Sequence, residues 1–100
     1  MTDSNRSIVE LESDLISRDP EALRQALLSA LTAGRPVELV AAGVSRCGTA
    51  ALQVLLAFVR EAARQGISAD LSDASPALRE AIRLTGLDSE PALSACLAPR

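Results

Sequence analysis

Three glycines punctuate this chain, and their spacing limits the folds that it can adopt. Gly34, Gly66 and Gly86 each follow a segment whose apolar residues recur at helical spacing, which is where helices commonly end. Two of the segments open with a capping residue followed by proline, Asp19-Pro20 and Ser75-Pro76, a combination favoured at a helix start. The pattern therefore predicts three helices separated by turns.

Short apolar runs lie between the helical segments and predict β-strands. Residues 8–11, 37–41 and 67–71 have strand length, and in the last of these the apolar residues alternate. A weaker, edge-like strand is expected within residues 12–17, and a last short helix within residues 89–97. Because strands alternate with helices, right-handed crossovers and a largely parallel sheet are expected, and the fold class is α/β.

Composition and charge exclude several classes of partner. The chain has 100 residues, the common size of one domain, and Phe58 is its only aromatic residue. The net charge is −3 and the isoelectric point is near 4.8. No nucleic-acid partner is expected, because the chain offers neither a basic surface nor aromatic stacking residues. Residues 1–6 are polar, and the longest apolar run, residues 50–59, is too short to span a bilayer, so a cytoplasmic location without membrane insertion is expected.

Residues that could support catalysis or bind a metal are scarce. The chain has no histidine and no glycine-rich phosphate loop. We therefore expect that the protein is not an enzyme and that it has no catalytic residue and no cofactor. Cys47 and Cys96, without histidine, rarely make a zinc site and are expected to be reduced thiols. Asp70 and Asp73 could form a carboxylate pair for a metal, but without a visible third ligand they are expected to be solvated loop residues.

The segment 44–56 resembles the signature loop and helix of STAS domains, a family named for sulphate transporters and anti-sigma factor antagonists. The family pattern is a hydrophobic residue, Asp, Ser or Thr, a small residue and Gly, followed by a leucine-rich helix. The residues at those five places are Cys47, Gly48, Thr49, Ala50 and Ala51. Residues 33–39 and 75–87 resemble the family's helix-to-strand passage and its last helix.

This resemblance extends over roughly residues 8–87 and implies a single STAS-like domain over residues 1–100. A polar tail is expected at residues 1–6 and a helix or tail at residues 89–100. The family fold implies a mostly parallel or mixed sheet of four to five strands, with helices packed mainly on one side. The middle helix is expected to begin at Thr49.

The resemblance also implies a non-catalytic role in bacterial signal transduction and transcription regulation. In anti-sigma factor antagonists a serine/threonine kinase partner phosphorylates the loop hydroxyl and breaks a protein complex. Thr49 is accordingly the phosphorylation candidate, with Ser45 as second choice. The expected partner-binding residues are Arg46, Cys47, Gly48, Thr49, Ala50 and Gln53. The charged residues Arg60, Glu61 and Arg64 of the same helix are either a solvated face or the rim of that surface.

Other interpretations stay open at the level of sequence. Thr49 could be an ordinary helix N-cap with no further role. Gly48 stands in the place of the family's Asp and Ala51 in the place of its Gly, and both departures are compatible with a module that binds partners without being phosphorylated. Other STAS proteins are subunits of phospholipid-transport ABC complexes or chemotaxis-associated proteins, and these are the alternative functions.

Overall fold

The computed structural model describes residues 7–11, 13–15, 19–71, 73–91 and 93. Strands and helices alternate through this part of the chain, as predicted for an α/β protein. The elements are β1 (Ser7–Glu10), α1 (Pro20–Thr32), β2 (Val37–Val40), α2 (Thr49–Arg64), β3 (Ala69–Asp70), α3 (Pro76–Leu84) and a 3₁₀ turn (Leu87–Ser89). The predicted helix starts at Asp19 and Ser75 are confirmed, because both residues are N-caps whose side chains accept backbone N–H groups.

The described strands form a parallel sheet in the order β1-β2-β3. Within the described residues this sheet has three strands, so the sheet of four to five strands stays a prediction. The edge-like strand expected around Leu15 and Ile16 corresponds, in its described part, to an isolated parallel bridge between Asp14 and Arg46. Residues 12 and 16–18 lie outside the described residues, as do residues 1–6 and 94–100.

One face of the sheet belongs to the core, and the other is more exposed. Val37 and Leu39 are buried in the core, and α1 packs against β1 while α2 packs against β3. Their neighbours on the opposite face are more accessible, and Ile8 there is 56% exposed. This alternation follows from the two-residue side-chain period of a strand.

β3 is shorter than the predicted strand 67–71, and Ile67 belongs to the end of α2. The N–H of Gly66 donates to Ala63 O at 3.1 Å, and the N–H of Ile67 donates to Ala62 O at 2.8 Å, with Gly66 at a φ of 73°. This pair of bonds is the Schellman motif that commonly closes a helix. The β-ladder with β2 begins at Ala69.

The core is aliphatic, as the composition requires. The helical spacing predicts an apolar stripe on α2 of Leu52, Leu55, Leu56, Val59 and Ala63. The structure differs in part, because Ala63 is exposed and Leu56 is only partly buried, whereas Phe58 and Ala62 are buried. Two adjacent alanines satisfy the helical period equally well, so the pattern could not distinguish Ala62 from Ala63. Leu93, expected in the last helix, is 1% exposed. No helix among the described residues is long and apolar enough to cross a membrane.

Candidate functional site

The candidate site lies where the loop after β2 enters α2. Thr49 is the first helical residue, and the N-cap is Gly48, with extended backbone angles of −95° and 174°. The interpretation of Thr49 as an ordinary N-cap is therefore wrong. Among the described residues no side chain caps this helix start. Helix geometry leaves the first-turn N–H groups without intrahelical acceptors, so they face the surroundings of the site.

The first turn of α2 is held in place from its inner side. Ala51, Leu52 and Leu55 are buried in the core. Thr49, Ala50 and Gln53 are consequently turned outward and exposed, since residues three and four apart share one face of a helix.

These exposed residues adjoin the end of the loop. Arg46 is exposed, and Cys47 and Gly48 are partly buried. We call the six predicted partner-binding residues the docking surface: Arg46, Cys47, Gly48, Thr49, Ala50 and Gln53. Five of the six are consecutive in the chain, Gln53 lies one turn further along α2, and Arg46 carries the single charge among them.

A segment that is distant in sequence holds the loop on one side. The carbonyl oxygen of Ser13 accepts the N–H of Ser45 at 2.8 Å, the N–H of Arg46 at 3.1 Å and the hydroxyl of Ser45 at 3.1 Å. The N–H of Leu15 donates to Arg46 O at 2.9 Å, and the Arg46 guanidinium lies 3.4 Å from a carboxylate oxygen of Asp14. Sequence reasoning missed these contacts, because no local pattern relates residues 32 positions apart.

The thiol of Cys47 is free and partly buried. Burial raises the pKa of this thiol, because desolvation disfavours the thiolate. Since the thiolate is the nucleophilic form, Cys47 at neutral pH is suited to packing and poorly suited to covalent catalysis. Cys96 lies outside the described residues.

The charged residues at the other end of α2 are engaged with neighbours. Arg60 contacts Glu90 at 2.5 Å, and Arg64 forms an ion pair with Glu61. Hydrogen bonds from Arg64 and Gln65 lower the pKa of Glu61. Exposed pairs of this kind contribute little to stability. They make the distal end of α2 charged, in contrast to the nearly uncharged docking surface.

Two concave features lie away from the docking surface. A groove of about 370 Å³ separates α1 from α2, with Leu28, Val54 and Phe58 among its walls. Asp70 and Asp73 line a small recess of about 30 Å³ beside Glu38. Among the described residues no group of three or more histidine, cysteine, aspartate or glutamate side chains could hold a metal ion.

The chain belongs to the STAS domain family. The family model described as "Mlab, STAS domain" matches residues 2–97, almost the whole chain, and confirms the resemblance seen in the signature loop and helix. STAS domains are generally non-enzymatic modules that regulate through protein–protein interaction. No curated protein and no solved structure was found to match the chain.

Proposed function

We propose that this protein is a non-catalytic interaction module that binds a protein partner through the docking surface, as anti-sigma factor antagonists do. The observation that carries the proposal is the open start of α2. Thr49, Ala50 and Gln53 are exposed on a helix whose opposite side is anchored in the core. Small side chains beside N–H groups that no side chain of the described residues caps let a partner's backbone approach closely.

The proposed switch is phosphorylation of Thr49 by a serine/threonine kinase partner. A phosphate at the first turn of α2 gains from the helix dipole and from nearby N–H groups, so the helix itself stays folded. The added charge of nearly −2 would act on the docked partner, which must desolvate or repel it. Ser45 is less suited to this role, because its hydroxyl donates to Ser13 O and its modification would disturb the loop.

The second candidate function is constitutive docking, as in the STAS subunits of phospholipid-transport ABC complexes. It is favoured by Gly48, which stands where a switch member of the family carries Asp, so that no carboxylate precedes the hydroxyl. In this case the docking surface binds an ATPase subunit and Thr49 is never modified. A chemotaxis-associated protein without a switch would likewise bind its partner through the docking surface, with Thr49 unmodified.

Two alanines of α2 provide a matched test of the docking surface. Ala50 and Ala63 are both exposed on this helix, but only Ala50 belongs to the docking surface. Tagged chains carrying Ala50→Arg or Ala63→Arg would be purified from the native host, and co-purifying proteins would be identified by mass spectrometry. We expect a kinase, an anti-sigma factor or an ATPase subunit that is retained by Ala63→Arg and lost with Ala50→Arg. A partner retained equally by both variants would contradict the proposal.

A second pair of variants separates the switch from constitutive docking. Thr49→Asp introduces a negative charge at the first turn. Thr49→Asn introduces an uncharged polar side chain of the same shape as Asp. If the switch operates, the co-purified kinase and ATP should place a phosphate on Thr49, and Thr49→Asp should weaken binding while Thr49→Asn preserves it. An ATPase partner, an unmodified Thr49 and equal binding by the two variants would select the transport-complex subunit instead.

A further inference from the structure

One hydroxyl group joins the start of α3 to the loop that precedes the docking surface. Among the described residues Ser75 is the single polar side chain that is buried, at 5% exposure. Its hydroxyl donates to Val44 O at 2.5 Å and accepts the N–H of Leu78 at 3.1 Å. The same atom therefore caps α3 and closes a contact with a residue 31 positions earlier in the chain.

The backbone adds a second bond between these two regions. The N–H of Ser75 donates to Ala41 O at 3.1 Å, and the N–H of Val44 donates to the same oxygen at 3.2 Å. Residues 41–44 thus form a tight turn whose two ends are both bound to Ser75. Val44 is 2% exposed, so water has little access to replace the Ser75 hydroxyl at its carbonyl group.

The loop is consequently held from two sides just before the docking surface begins. Ser13 binds Ser45 and Arg46 on one side, and Ser75 binds Ala41 and Val44 on the other. The Ser13 contacts involve backbone and a partly exposed segment, whereas the Ser75 contact depends on a side-chain hydroxyl in the core. Substitution of Ser75 by alanine therefore removes the side-chain bond to Val44 O, keeps the backbone bond to Ala41 O, and alters no residue of the docking surface.

We propose that Ser75 is a positioning residue of the docking surface, which keeps residues 44–49 in the conformation that a partner recognises. The functional half of this inference rests on the proposed docking function, whereas the effect on the loop does not. Asp19 provides the matched control. It is likewise an N-cap followed by proline, but it is exposed, and among the described residues its side chain accepts only the Glu21 N–H, at 3.1 Å.

Amide hydrogen exchange measured by NMR tests the effect on the loop. In Ser75→Ala, exchange at the hydrogen-bonded amides of Val44, Ser45 and Arg46 should accelerate roughly tenfold more than exchange in α1, with chemical-shift changes that extend to Thr49, because a local opening is made easier. Asp19→Ala should change exchange only at the start of α1, and Ser75→Thr should restore the native loop. If Ser75→Ala does not fold, Ser75→Gly keeps an acceptable N-cap and still lacks the hydroxyl. Acceleration spread evenly over the chain, with unchanged loop shifts, would overturn the positioning role.

Partner binding then separates this inference from the docking function. The co-purified partner should bind Ser75→Ala at least several-fold more weakly than it binds Asp19→Ala, although neither variant changes the docking surface. Binding that is abolished by Ala50→Arg but unaffected by Ser75→Ala would overturn the positioning role and leave the docking function standing. Binding that is insensitive to Ala50→Arg would overturn the docking function itself, whatever the loop does in Ser75→Ala.

Discussion

The starts of α2 and α3 differ in how their N–H groups are satisfied. Both helices follow an extended residue, Gly48 before α2 and Ser75 before α3, and both have first-turn N–H groups without intrahelical acceptors. Ser75 is buried and its hydroxyl accepts one of these groups, from Leu78. Gly48 has no side chain to do so, and Thr49 and the residue after it are exposed.

Under the proposed function, this difference separates a helix start that stabilises the fold, at α3, from one whose surface is available to a partner, at α2. The start of α3 is closed by a buried side chain that also binds the loop after β2. The start of α2 is open, and its position depends on the buried residues behind it and on contacts made by the loop. A docking surface can then remain free for a partner while its neighbours hold it rigid.

The largest expected effect separates a buried residue at the start of α3 from an exposed residue near the start of α2. Leu78 of α3 is 0% exposed, and Leu78→Ala should lower the free energy of unfolding by about 3 kcal/mol, from lost burial and the cavity left behind. Gln53 of α2 is exposed, and Gln53→Ala should change the free energy of unfolding by less than about 0.5 kcal/mol. Urea unfolding of both variants measures this contrast. Similar losses in the two variants would show that the start of α2 is as closed as that of α3.

Removal of the Ser75 hydroxyl should have the next largest effect. Ser75→Ala leaves Val44 O without its donor and Leu78 N–H without its cap, and should cost about 2 kcal/mol in unfolding free energy. Asp19→Ala removes only an exposed cap and should cost about 1 kcal/mol. Both values come from urea unfolding under the same conditions. Equal losses would mean that the bond to Val44 adds nothing beyond capping.

A side chain at Gly48 should partly close the start of α2. The extended backbone at Gly48 accepts any residue, so Gly48→Asp should cap the first turn and stabilise the protein by about 0.5 kcal/mol. Gly48→Ala supplies a side chain without a capping oxygen and should be slightly destabilising. Thermal unfolding, monitored by circular dichroism, would rank the parent protein, Gly48→Asp and Gly48→Ala by stability. A Gly48→Asp protein no more stable than Gly48→Ala would contradict the description of this start as uncapped.

The smallest effects should come from surface ion pairs, and they should not distinguish the two helices. Hydrogen bonds from Arg64 and Arg83 lower the pKa of Glu61 in α2 and of Glu80 in α3. A carboxylate whose pKa is lower in the folded state stabilises the protein above its unfolded pKa, and this contribution is lost as the pH falls through the folded value. Glu61→Gln and Glu80→Gln should each be slightly destabilising near neutral pH, and the difference from the parent protein should vanish in acid.

Urea midpoints of the parent protein and both glutamine variants, measured at about pH 7 and about pH 3, would check this dependence. A deficit in either variant that persists in acid would show that the glutamate acts through packing and not through its charge. A much larger effect for Glu80 than for Glu61 would extend the difference between the two helices to their exposed faces.

Much of the fold could be predicted because its signals are local. Asp19 and Ser75 with their following prolines marked two helix starts, and Gly34 and Gly66 marked two ends, each through a property of one or two residues. The predicted strand 67–71 was too long: the backbone of Ile67 closes the end of α2, and the ladder includes only Ala69 and Asp70, which no apolar pattern reveals. The position of Ala63 was wrong because an alanine carries little information about which face it occupies.

The sequence by itself determined the α/β class, the helix limits and the family to which the chain belongs, because periodicity, capping and a contiguous motif are properties of neighbouring residues. It also located Thr49 at the start of α2. Only the tertiary structure decided that Gly48 is the N-cap, that Ser13 holds one side of the loop and that Ser75 holds the other. These contacts join segments more than 30 residues apart, so they exist only once the sheet and the helices have packed.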